Sequence, residues 1–258
     1  GRQAMWEGVI DQSSTPFLPK DGRKILFLGD SMSEDLYITS LEHQKKSNNL
    51  NQYKRLKLDD ACFKFLNGID LTSLQDPSCK MQISTLINSD LLKDSTDIVV
   101  ANLWESSNVG TISNIFSLQA IKGKSVIFYA APTFTDMTSL LYYLSKSGQS
   151  SQDASFKNFI YQNRNERRLS INNAIQSNAN ENKVAFINAF DFYCLDTAKT
   201  CTLFSEDSVP WIIDGMHLSA NGINSFSPWL VEKINYATKE EKAKYIVKGF
   251  AKEFGEKL

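Results

Sequence analysis

The sequence predicts an α/β fold: a mostly parallel five-stranded sheet covered by helices on both faces. Three observations carry that expectation. Short apolar runs alternate with longer amphipathic segments along most of the chain, the pattern of strand–helix–strand units. The clearest runs, "DIVVANLW", "SVIFYAAP" and "VAFINAF", are apolar at successive positions, as parallel strands buried on both faces are. At 258 residues and 42% hydrophobic, the chain can enclose a sizeable core within one α/β domain.

Residues 1–22 read as an irregular lead-in or linker, with Pro16, Pro19 and the turn Asp21-Gly22. Strands are expected at 24–28, 62–66, 97–103, 125–131 and 184–188, and helices at 33–44, 80–92, 112–121, 156–179 and 220–235. The fourth of these helices mixes Phe159, Ile160, Ile171 and Ile175 with Asn163 and Arg167, so one stripe is available for burial. Right-handed crossovers place the carboxyl ends of the strands on one edge, where loops build a site. The unit formed this way spans 23–237. Residues 238–258 read as a further helix that packs on it or extends from it, with Tyr245, Phe250 and Phe254 as docking residues.

The 28 basic and 29 acidic residues leave a formal net charge of −1, which argues against a nucleic-acid partner, since that affinity rests on a basic face. No apolar stretch approaches the ~20 residues of a transmembrane helix. The polar start, "GRQAMWEGVIDQSSTP", has neither an initiating Met nor a signal-peptide pattern, and reads as that of a mature or excised piece. The cysteines fall into two local pairs, Cys62 with Cys79 and Cys194 with Cys201. Neither has the spacing of a zinc site, and only His43 and His217 could add imidazole ligands. Two loop-closing disulfides in an oxidising compartment are expected.

Chemistry enters with "FLGDSMSEDL", where an apolar run ends abruptly in Gly29-Asp30-Ser31. Turn and cap preferences alone would suit those residues. A serine at a strand tip is also placed to be a nucleophile, provided that a base and an acid can reach it. "WIIDGMHLSANG", residues 211–222, supplies both: Asp214 and His217 lie three residues apart ahead of a helix. One turn can present both side chains, the carboxylate holding Nδ1–H and leaving Nε2 free to take the serine proton. Either motif alone is weak. Together they select Ser31 as nucleophile, His217 as base and Asp214 as the orienting acid.

"GDSMS" and "DGMHLS" resemble the first and last motif blocks of the SGNH/GDSL hydrolase superfamily. That resemblance implies a flavodoxin-like three-layer α/β/α sandwich with a Ser-His-Asp triad. The family's middle blocks supply oxyanion donors from a Gly and from a Gly-x-Asn-Asp segment. Here the third strand ends "VVANLWESSN", so the donors expected are the Ser31 backbone N–H with Asn102, Asn108 or Gly68. Trp104 is a candidate to stack on a sugar ring. The close cysteine pair ahead of D-x-x-H-L-S, with "DIVVANLW" and "SVIFYAAPTF", is similar to the extracytoplasmic SGNH domain fused to bacterial acyltransferase-3 membrane proteins.

The narrower resemblance implies acetyl transfer to hydroxyls of a surface polysaccharide, such as O-antigen or peptidoglycan, through an acyl-serine. The implied setting is periplasmic, tethered to the inner membrane by an N-terminal membrane domain. That partner would bring the acetyl group from acetyl-CoA, and no metal or other bound cofactor is implied. A secreted carbohydrate esterase with water as acceptor, and a non-catalytic glycan-binding or assembly module, are the alternatives that the residues leave open.

Overall fold

Five parallel strands make the sheet: β1 (Lys24–Gly29), β2 (Gln52–Lys57), β3 (Asp97–Asn102), β4 (Ser125–Ala130) and β5 (Ala185–Asn188), in the order β2-β1-β3-β4-β5. The computed structural model describes residues 15–19, 21–134 and 137–254, with side chains as far as 237. The chain starts in the middle, steps outward to β2, then returns to the other side of β1. The strand order therefore reverses between β1 and β3, and the crevice beyond their carboxyl ends is where open α/β sheets place a site.

The two-residue period of the strands sorts their side chains into two cores. Ile25, Phe27, Val99, Ala101, Ile127, Tyr129 and Ile187 face one way. Leu26, Leu28, Ile98, Val100, Val126 and Phe128 face the other. The first face is covered by α1 (Ser31–Lys46), α4 (Met137–Ser147), α5 (Ala154–Gln162) and α8 (Ala220–Phe254), through Leu36, Leu140, Phe156, Phe226 and Leu230. The second is covered by α2 (Pro77–Asn88), α3 (Asp90–Asp94), α6 (Glu166–Asn182) and the 3₁₀ segments Asp60–Phe65 and Val109–Ser117, through Ile83, Leu91, Ile171, Phe63 and Ile112. Burying one such aliphatic or aromatic side chain contributes about 1.5–3 kcal/mol. A one-turn helix, α7 (Phe190–Tyr193), leads into a short hairpin of β6 (Cys194–Leu195) and β7 (Thr200–Cys201).

Several elements differ from the sequence reading. The run at 62–66 is not a strand: Asp60–Phe65 is a 3₁₀ helix, and β2 comes from the polar stretch "QYKRLK". An edge strand has one open side, so a polar sequence suffices where Tyr53 and Leu56 are buried and the charges find partners. The expected helix at 80–92 is broken by Ser89, whose hydroxyl caps α3 by accepting from Leu91 N–H at 3.1 Å. The one at 156–179 is broken at Asn163–Asn165, where Asn165 caps α6 by accepting from Arg168 N–H at 3.0 Å. Residues 112–121 form 3₁₀ turns rather than an α-helix. Helix α4 and the β6–β7 hairpin were not expected. Helix α8 runs unbroken across the expected boundary at 238, while the docking role of Tyr245, Phe250 and Phe254 lies outside the described side chains.

The described part of the lead-in is docked. Phe17 is buried in the second core, and Leu18 exchanges two hydrogen bonds with the Gln52 side chain, at 2.7 and 3.1 Å. Both cysteine pairs are disulfides: Cys62–Cys79 joins the first 3₁₀ segment to α2, and Cys194–Cys201 closes the β6–β7 hairpin. Among the described residues no helix is long and apolar enough to cross a membrane.

The bridges enclose loops of different length, with separations of 17 and 7 residues. Loop entropy gives the longer one about 3 kcal/mol and the shorter about 2 kcal/mol. Replacing Cys62 and Cys79 by Ser should therefore cost more unfolding free energy in urea titrations than replacing Cys194 and Cys201. The reverse order would show that the entropic account fails here.

Candidate active site

The end of β1 requires a glycine. Gly29 has φ +151°, and a Cβ there would stand 1.8 Å from the Ala101 carbonyl oxygen on β3. Asp30 follows and caps α1, its Oδ1 accepting from Met32 N–H at 2.8 Å. Its Oδ2 accepts from Leu103 N–H at 2.9 Å, and its own N–H donates to Asn102 Oδ1 at 2.8 Å. The carbonyl of Asp30 accepts from Ser33 Oγ at 2.7 Å and from Arg55 Nη2 at 3.1 Å. Arg55 also donates through Nε to Ser33 Oγ at 3.0 Å and pairs with Glu34 at 3.3 Å. Burial raises the Asp30 carboxyl above its ordinary value; the N–H groups of Leu103 and Met32 oppose this, and the charges of Asp59 and Asp60 add to it. This clamp leaves Ser31 exposed as the first residue of α1.

The second half is a tight loop between the hairpin and α8. Ile212 and Leu218 bridge antiparallel, with Ile213 N–H donating to the His217 carbonyl at 2.8 Å and Ser219 N–H to the Trp211 carbonyl at 2.9 Å. Gly215, at φ +88°, turns the chain between them, and its carbonyl accepts from Phe134 N–H at 2.8 Å. Asp214 Oδ1 accepts from the backbone N–H groups of Met216 and His217, at 3.2 and 2.9 Å. This is the side-chain turn that aspartate favours.

These two halves bring Ser31, His217 and Asp214 into line. His217 Nδ1 is 2.7 Å from Asp214 Oδ2, and His217 Nε2 is 3.0 Å from Ser31 Oγ. With the carboxylate at Nδ1, the tautomer that satisfies both contacts carries its proton there and accepts from Ser31 at Nε2. Partial burial works against the charged Asp214, but the backbone and ring N–H groups of His217 outweigh it and hold the carboxyl below its ordinary value. The line can polarise a hydroxyl that solvent reaches.

The other sequence candidates stand elsewhere. The Asn102 side chain is fully buried, its oxygen is bound to Asp30 N–H, and its Nδ2 is closed to solvent. It secures the Ser31 turn and is out of reach of a substrate oxygen. Asn108 Nδ2 donates to Asp60 Oδ2 at 3.1 Å, so its amide is engaged in holding the loop after β3. Gly68 lines a cavity of about 400 Å³ bounded by residues such as Lys64, Leu71 and Ile83, which includes none of Ser31, Asp214 and His217. Trp104 is 0% exposed and packs edge-on against Phe63 at 4.9 Å between ring centroids, so it cannot stack on a sugar. Of the expected oxyanion donors, the Ser31 N–H remains, at the first turn of α1 where helix N–H groups lack intrahelical partners. Sequence reasoning missed Arg55, which sits in the unrecognised edge strand, and Arg168, which donates to the Trp104 carbonyl at 2.9 Å. Among the described residues no three His, Cys, Asp or Glu side chains cluster as metal ligands would.

A family model described as "SGNH domain (fused to AT3 domains)" matches residues 6–231. The chain belongs to this SGNH family. No curated protein sequence matches it significantly. Among solved structures, this SGNH domain is similar to the periplasmic domain of a lipopolysaccharide acetyltransferase of Salmonella ser. Paratyphi A, at 16% identity and TM-score 0.63 over 91% of this chain and 92% of that one. It is also similar to a protein of Bacteroides fragilis assigned as an acylhydrolase, at 14% identity and TM-score 0.50 over 89% of this chain and 95% of that one. At such identities the likeness is one of fold, and it extends over almost the whole SGNH domain.

Two outcomes follow for this SGNH domain. Gly29→Ala should cost at least about 2 kcal/mol of stability, because both the backbone angle and the β1–β3 contact must yield; an unaltered urea midpoint would refute the close approach. Asp214 is held below its ordinary value of 3.8, so its contribution to stability is present above that pH and is lost as pH falls through the folded value. Asp214→Asn should therefore be less stable than wild type at pH 7, with the gap closing below pH 3.8. A gap that does not change with pH would contradict the assigned hydrogen bonds.

Proposed function

We propose that this SGNH domain is an O-acetyltransferase that acts through an acyl-Ser31 intermediate, with His217 as base and Asp214 as its orienting partner. The observation that carries the reading is the continuous line Asp214–His217–Ser31 at the carboxyl edge of the sheet, with Ser31 open to solvent. In the first half-reaction His217 Nε2 takes the Ser31 proton as Oγ attacks the acetyl carbonyl, and the Ser31 N–H donates to the oxyanion. The leaving group departs with the proton held on His217. In the second half, His217 takes the proton of an acceptor hydroxyl, which attacks the acetyl-serine. Collapse releases the acetylated acceptor and returns the proton to Ser31. Asp214 stabilises the imidazolium in both halves and remains a carboxylate.

Support for a polysaccharide acceptor comes from the family, whose members are fused to AT3 domains, and from the likeness to a lipopolysaccharide acetyltransferase periplasmic domain. On this reading the domain stands on the periplasmic side of a membrane. A membrane acyltransferase domain in the same protein passes it acetyl groups that come from acetyl-CoA. The two disulfides agree with an oxidising compartment. A second reading, esterase action with water as acceptor, is favoured by the openness of the site: the Asp214 side chain is 49% exposed and Ser31 faces solvent. The two readings share the triad and differ in what meets the acyl-serine.

Ser31→Ala should abolish acetyl release from a chromogenic ester and labelling by a serine-directed phosphonate while leaving the fold intact. Asp214→Asn should lose up to ~10⁴ in rate, the loss seen when a serine protease acid is changed this way. Labelling that persists in Ser31→Ala would place the nucleophile elsewhere. Acetyl transfer to added saccharide above hydrolysis would select the transferase. Hydrolysis that no saccharide diverts, in the isolated domain and in the full-length protein alike, would select the esterase.

A further inference from the structure

We propose that Asp35 is a positioning residue that fastens the His217 loop to the nucleophile helix, an inference that rests on the reading of Ser31, His217 and Asp214 as a triad. Asp35 lies one turn beyond Ser31 on α1, so the two side chains leave the same helix face. That face meets the acid–base loop twice. Ser31 Oγ meets the His217 ring, and Asp35 Oδ2 accepts from the backbone N–H of Leu218, the next residue, at 3.2 Å. The two contacts differ in setting. The triad is open to water, whereas Asp35 and Leu218 are 3% and 4% exposed.

Burial decides which contact holds the loop. In the open, water competes for every hydrogen bond, and the Ser31–His217 contact must break and re-form during the reaction. A carboxylate accepting from an N–H in the interior has no such competitor and is costly to leave unpaired. Asp35 also shares a small cavity with Met32, Tyr129, Tyr193 and Met216, so it sits between the chain neighbours of Ser31 and His217. Among the described residues, the backbone on either side of Leu218 is also tied within its own loop by the Ile212–Leu218 bridge, to Phe134 through the Gly215 carbonyl, and to the hairpin side through Trp211 N–H and the Leu203 carbonyl. The Asp35–Leu218 bond joins that loop directly to α1. A base held within hydrogen-bond reach of its nucleophile is the condition for activation, and a shift of about 1 Å can cost ~10²-fold.

The test uses Asp35→Ala, Asp35→Asn and an ester in place of the Leu218 amide, which removes one N–H and keeps every side chain. The chain contains two histidines, His43 and His217, so ¹⁵N-histidine NMR follows the His217 ring without substrate. Asp35→Ala and the ester variant should shift or broaden the His217 ring signals, leave those of His43 in place, and slow phosphonate labelling by about tenfold or more. In ester turnover kcat should fall while KM holds. Asp35→Asn keeps an oxygen that can accept from Leu218 and should stay within about threefold of wild type. If Asp35→Ala fails to fold, the ester variant decides. Unchanged ring signals and labelling in the ester variant overturn the proposal, as does an Asp35→Asn protein as impaired as Asp35→Ala. Failure of the wild type itself to label would sink the triad reading instead, and the ring signals would still report whether Asp35 holds the loop.

Discussion

The Asp30 carboxylate is the joint on which the site depends. It stands where the strand order reverses, with one oxygen on α1 and the other on the backbone after β3. Its own amide reaches Asn102, so strand, helix and neighbouring strand meet in one residue. A partly buried carboxylate is tolerated there because backbone N–H groups replace the water it loses. Arg55 closes the clamp from the edge strand, paired with Glu34 of α1, and a polar edge strand is thereby explained by the turn it supports.

The loop that carries Asp214 and His217 is framed from the other side by the hairpin. Thr202 N–H donates to the Tyr193 carbonyl and Trp211 N–H to the Leu203 carbonyl, both at 2.8 Å, and Phe204 bridges Pro210. A run of backbone bonds thus leads from the Cys194–Cys201 bridge to the residue three before Asp214. Tyr193, Phe192, Trp211 and Phe226 pack on one another beneath it, so an apolar floor lies under an open and polar rim. The rim can remain accessible because the floor is what orders it.

What could be read from the sequence was what residue type and spacing encode. The three inner strands are apolar on both faces and announced themselves, and so did Ser31, Asp214 and His217, whose types are specific and whose positions end or begin elements. What could not be read depended on solvent access and on partners distant in the chain. Asn102 ends β3 and Trp104 follows it at the right edge, yet both are fully buried, next to a loop whose backbone Arg168 and Asp60 hold in place. The strand β2 was hidden because its charged residues find partners far apart in the chain, Arg55 on Ser33 and Glu34 of α1 and Lys54 on Thr15. The run "CFKFL" misled for the opposite reason: Cys62, Phe63 and Leu66 are buried from a 3₁₀ turn, which needs apolar residues without strand alternation. Helix breaks at Ser89 and Asn165 were encoded in ordinary capping residues that a periodicity argument passes over.

The contact between His217 and Ser31 spans 186 residues of chain. Bringing such distant segments together is slow in folding and comes after local structure has formed. Until the loop before α8 docks, Ser31 is an ordinary alcohol on a helix end, no more reactive than its many neighbours. On the proposed reading, reactivity is thus a property of the finished topology rather than of any segment. A full-length chain in which that loop is undocked carries Ser31, Asp214 and His217 but holds them apart. On the proposed triad reading, activity therefore requires the whole path from β1 to the last connection to be in place.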